Sequence, residues 1–168
     1  WSFDRYEYGT THAFAACADW LDLYHRYNDS WERQLTTLSE TIDHMAFDVL
    51  RHPEYPYLSG TETWNEQSFI DAAENEERAI VESMIRNACI NATSFEEMER
   101  AFTHIALAHY NDFGHTLIYV QKARQLLTRL KLDHPEEILL PLARHICFTT
   151  REDLIPEFSS YHQSLCKC

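Results

Sequence analysis

In segment 30–51 the apolar residues Trp31, Leu35, Leu38, Ile42, Met45 and Val49 fall at alternating spacings of four and three. That spacing fits only a helix, because a strand repeats every two residues. Ser30 stands where an N-cap belongs. The same periodicity recurs along the chain. It predicts helices over 11–27 (burying Phe14, Cys17, Trp20, Leu21 and Tyr24), 64–73, 76–89, 94–110, 116–131, 136–148 and 150–165. Ser94 with Glu97, and Asp133 with Glu136, spell capping boxes at two of the starts. Pro141 should bend the helix it lies in, which is apolar nearly all round and therefore central. Segment 52–60, with two prolines, a glycine and two tyrosines, reads as a long loop packed against the body. The expected architecture is all-α: one domain over 1–168, a bundle of seven or eight helices.

Three glycines among 168 residues leave little for the tight turns of a sandwich or barrel, or for a phosphate-cradling loop. The net charge of −13 argues against nucleic acid or an anionic membrane surface as partner. No apolar run approaches the length that spans a bilayer. Trp1 in place of Met suggests a chain cut from something longer, with an upstream domain as a possible partner. Five cysteines without metal-type spacing suggest reduced thiols and a cytoplasmic setting.

Ten histidines are many for a chain of this size. Continuing the stripe Phe95, Met98, Phe102, Ile105 brings His109 to the core face and sends His104 away from it. Asp112 and His115 follow across the break at Gly114, so two imidazoles and a carboxylate meet at a helix junction. A carboxylate beside an imidazole fixes its tautomer and raises its basicity, the arrangement of a general base. A core histidine bonded to a neighbouring carbonyl, with Asp112 as a cap, is the competing structural reading. His12 lies near the edge of the first helix's buried face, and His145 borders the core side of the central one. His44 and His25 read as solvated, and the acidic run 74–77 as a solvated helix start. No His-Glu-x-x-His motif and no paired Glu-x-x-His set occurs, so no metal ligands are assigned.

The junction from Ala108 to Tyr119, continuing to Lys122-Ala123, resembles a segment of the questin oxidase-like helical proteins. Segments 76–91 and 134–142 are compatible with that family, and 9–15 resembles a Thr-His-Gly helix start, with Ala13 where glycine is expected. The resemblance corresponds to the C-terminal half of a typical member. It implies a Baeyer–Villiger-type oxidoreductase that oxygenates an aromatic polyketide-like substrate, drawing on NADPH. In that case His109 is the acid or base, Asp112 orients an imidazole, and His115 with Tyr119 donates hydrogen bonds to an oxyanion. His12, Tyr119 and His145 would bind substrate. The alternatives are a non-catalytic helical module for a hydrophobic or aromatic small molecule or a partner domain, and a metal-dependent helical enzyme.

Overall fold

The computed structural model describes residues 3–50, 52–110, 114–132 and 134–165. Among them are eight α-helices and no strand, so the protein is all-α. After a short 3-10 turn at Phe3–Arg5 come α1 (His12–Arg26), α2 (Trp31–Val49), α3 (Glu66–Glu74) and α4 (Arg78–Ile90). Then follow α5 (Phe95–Ala108), α6 (His115–Leu130), α7 (Glu136–Cys147) and α8 (Ser159–Leu165). The helix starts follow local chemistry. Thr11, Ser30, Asn65 and Ser94 each accept a backbone N–H of the first turn, and Ser94 with Glu97 closes a full capping box. Trp64, just before the Asn65 cap, packs on Phe69 at 4.9 Å between ring centroids and so fixes the entry into α3. The Asp133 half of the second expected capping box lies outside the described residues. Gly114, with φ +88°, turns the chain into α6, a left-handed conformation that suits glycine.

α7 is the centre. It packs against α3, α4, α5 and α6, and Ile138, Leu139, Leu140, Leu142, Ala143 and Ile146 are all buried. Pro141 lies inside it, and the Pro141 carbonyl accepts the Thr10 N–H at 3.1 Å. Around α7 run the pairs α3·α5, α5·α6 and α1·α6, and α2 lies on α1.

The loop 52–60 packs as expected. Tyr57 stacks on Phe3 and donates its hydroxyl hydrogen to the Phe3 carbonyl. The buried Arg144 guanidinium fastens this loop, donating to the carbonyls of Tyr6, Tyr55 and Pro56.

Two expectations are corrected. Much of the apolar stripe of α2 faces outward: Trp31 is 67% exposed, Leu35 53% and Ile42 65%, while Leu38 and Met45 are half-buried and only Val49, at its end, is buried. The buried positions are Thr37, Thr41 and Val49. Thr37 and Thr41 return their hydroxyl hydrogens to the carbonyls of Arg33 and Thr37, one turn back. Their polar groups are thereby satisfied, and their methyls can pack on α1. The last helix is also shorter than its sequence pattern. Two 3-10 turns, Glu152–Leu154 and Pro156–Phe158, precede the seven residues of α8, since Pro156 lacks the N–H a continuous helix needs.

Candidate functional site

His109 ends α5 as its C-cap residue and is 1% exposed, whereas His104 is exposed. The helical phase that aimed His109 inward is therefore the observed one. Its surroundings are those of a fastening. Thr149 Oγ1 gives its one hydrogen to the Ile146 carbonyl at 2.7 Å, so His109 Nδ1, 2.8 Å away, is the donor to Thr149. His109 Nε2 lies 3.2 Å from Glu74 Oε1, outside good hydrogen-bond geometry, and Arg151 pairs with the same carboxylate. His109 thus joins the ends of α3, α5 and α7. Of the acidic run 74–77, Glu76 and Glu77 are exposed at the start of α4 as expected, whereas Glu74 closes α3 and is mostly buried. Asp112 lies outside the described residues.

His115 turns to a different group. Its ring meets His12 edge-on at 4.7 Å between centroids and lies 6.1 Å from Tyr119. Tyr119 in turn contacts His145 at 4.7 Å, and His145 Nε2 is 3.3 Å from Thr116 Oγ1. Three imidazoles and a phenol, from α1, α6 and α7, therefore form one aromatic cluster.

Three members of the cluster, His12, Tyr119 and His145, line a cavity of about 840 Å³. The rest of its wall comes from segment 5–11, from Ala13, Ala16 and Trp20 of α1, from His44, Phe47 and Asp48 of α2, and from His52. That volume is within the range of small-molecule sites. The position of α2 builds one side of it, with His44 stacked on Trp20. Gly9 allows the other side to close. A Cβ there would meet the Pro141 carbonyl oxygen at 2.2 Å and His145 N at 2.4 Å, and its φ of +82° is left-handed. His109 lines neither this cavity nor two smaller ones, which lie near α5, α6 and α7 and along α6. No group of three or more His, Cys, Asp or Glu side chains among the described residues is placed to hold a metal ion.

Sequence reasoning passed over Arg144 and Glu82. The signal was present: an arginine in the middle of a helix apolar nearly all round needs a buried partner. Thr10 was also missed. Its hydroxyl is sealed from solvent without a hydrogen-bond partner, which only the tertiary structure reveals.

An all-α domain with a side cavity walled by imidazole and aromatic groups is the class that fold and site define. Residues 67–155 match the family described as Domain of unknown function (DUF2520), and the chain belongs to that family. The match corrects the resemblance to the questin oxidase-like proteins, whose motifs were single histidines in helices and carried little information about descent. It includes Tyr119 and His145 of the cavity, while α1 and α2 precede it. No curated protein and no solved structure matches the chain. No helix among the described residues is long and apolar enough to cross a membrane.

Proposed function

We propose that the domain is a binding module for a planar aromatic small molecule, held in the cavity beside α1. The observation that carries this reading is the convergence of His12, Tyr119 and His145 on one cavity of ligand size. Trp20 and Phe47 add aromatic wall, and imidazoles supply both donors and acceptors. His109 contributes from a distance, by holding helix ends together. The oxygenase and NADPH expectations rested on the corrected resemblance and are not carried further. A reducing, cytoplasmic setting suits the free thiols of Cys17, Cys89 and Cys147. The test is calorimetric titration with 2-naphthol as a neutral probe. Wild type should bind saturably, and Ala16→Phe, which fills the cavity, should not. Absence of binding by the folded wild type would sink the reading.

A second reading, docking onto a partner domain, is favoured by the outward apolar stripe Trp31, Leu35 and Ile42. Hydrogen exchange over α2 in a longer chain carrying an upstream domain tests it. Slower exchange there than in the 168-residue chain supports docking, and equal exchange argues against it.

A further inference from the structure

We infer that the aromatic ligand carries one positive charge, an ammonium group on a short arm, held beside Asp48 at the end of α2. This inference rests on the binding-module reading. The formal charges on the cavity wall, with histidine counted neutral, are those of Arg5, Glu7 and Asp48. Arg5 is already matched. Its Nη2 pairs with Glu54 Oε1 at 3.2 Å, and its Nη1 donates to the His52 carbonyl at 2.7 Å. No base matches the two carboxylates. Glu7 accepts the hydrogen of the neutral Tyr55 hydroxyl at 3.2 Å. Asp48 has no hydrogen bond or ion pair among the described residues. His44, the imidazole of α2 on this wall, lies 3.7 Å from Glu40 and so has its own carboxylate.

The placement of Asp48 is a second and independent indication. It is half-buried in the last turn of α2, where the aligned peptide dipoles disfavour a carboxylate, and no basic residue of that turn offsets it. The start of α1, the positive helix end on the same wall, is capped by Thr11 and makes no hydrogen bond to Asp48. An unpartnered carboxylate at the wrong end of a helix breaks a local rule, and such breaks gather at functional sites. A bound cation answers both the carboxylate and the carbonyl end of α2.

The apolar wall suits the same charge. The faces of indole and phenyl rings are negative and attract a nearby cation. Trp20 lines the cavity, and Phe47, next to Asp48 in sequence, lines it while remaining 84% exposed. An anion gains nothing from these ring faces and is repelled by both carboxylates. The net charge of −13 further concentrates cations around the mouth. A neutral ring leaves Asp48 without a partner.

The experiment compares 2-naphthylmethylammonium, its neutral isostere 2-naphthylmethanol, and 2-naphthoate by calorimetry on the wild-type chain at pH 8, where free imidazole is uncharged. The ammonium should bind about tenfold tighter than the alcohol, as one charge-assisted contact allows, and naphthoate weaker than both. Asp48→Asn, which keeps shape and removes the charge, should weaken the ammonium about tenfold and leave the alcohol within about twofold. Asp43→Asn removes an equal charge from an exposed position of α2 outside the cavity wall, and should change ammonium binding by less than about twofold. Equal binding of the ammonium and the alcohol, or tighter binding of naphthoate, overturns the cation and leaves the binding module standing. An Asp48→Asn effect that is nil, or no larger than that of Asp43→Asn, overturns the seat at Asp48. If no probe binds the wild type, the binding-module reading itself has failed. The three-probe comparison needs no variant, so poor folding of Asp48→Asn would not shield the inference.

Discussion

Arg144 and Glu82 meet as an ion pair with no exposure on either side chain, Nε to Oε1 at 2.9 Å. Arg144 reaches beyond Glu82 to the carbonyls of Tyr6, Tyr55 and Pro56, and its guanidinium lies 3.7 Å over the Tyr57 ring. Glu82 answers with its other oxygen, which accepts the Leu58 N–H at 2.8 Å. Two side chains therefore clamp α4, α7, the N-terminal segment and the loop that follows α2. Segment 5–11 and His52 form part of the cavity wall, so this clamp also shapes the site.

Breaking the clamp on one side leaves a buried charge uncompensated. Glu82→Gln should cost about 3–5 kcal/mol of unfolding free energy, measured by urea titration. The Leu58 amide should at the same time lose protection in hydrogen exchange. A loss below about 1 kcal/mol, with Leu58 still protected, would show that the pair does not hold the loop.

The outward stripe of α2 makes an opposite prediction. Ile42→Lys should change stability by no more than about 0.5 kcal/mol, as at an exposed site. A core position would lose about 2–5 kcal/mol on truncation alone. A loss of core size in thermal unfolding would mean that α2 turns its stripe inward in solution.

These cases separate what periodicity encodes from what it does not. The spacing of Phe95, Met98, Phe102, Ile105 and His109 was legible because α5 has neighbours along that whole face, so apolar side and buried side coincide. In α2 they differ. A stripe states which face is apolar, and only tertiary structure states whether anything covers it; α2 packs on α1, and the buried Thr37 and Thr41 lie about a quarter-turn from the stripe. The individual residues His12, Tyr119 and His145 stood out in the sequence, whereas periodicity did not give their meeting, which was expected only from the resemblance. Three separate helices bring them together, and Gly9 permits the close approach on which it depends. His109 and His115 are six residues apart in sequence, yet their rings face different partners.

His109→Ala tests the division of labour between those two histidines. Removing the ring strips Thr149 of its donor and leaves Glu74 with Arg151 alone, so stability should fall by about 2–4 kcal/mol. Binding of 2-naphthol per folded molecule should stay within about twofold of wild type, because His109 does not line the cavity. Loss of binding by a folded variant would return His109 to the site.

Burial holds the Cys147 thiol well above its ordinary value of 9, to about 12, with the Glu82 carboxylate adding to the effect. Cys89 is raised to about 12 as well, chiefly by burial and then by Glu136. A raised value means that the folded state favours the protonated thiol. Its contribution to stability is therefore whole below pH 9, where thiols in the unfolded chain stay protonated too. It is lost as pH climbs from 9 through about 12, because the unfolded chain releases thiol protons that the folded chain retains. Two measurements check this. Iodoacetamide at pH 8 should leave Cys147 unmodified in the native protein and alkylate it in urea, as read by peptide mass mapping. Cys147→Ala should flatten the fall of the melting temperature between pH 9 and 11 relative to wild type. Identical slopes in the two proteins, or rapid native alkylation of Cys147, would show that its thiol is not held protonated by the fold.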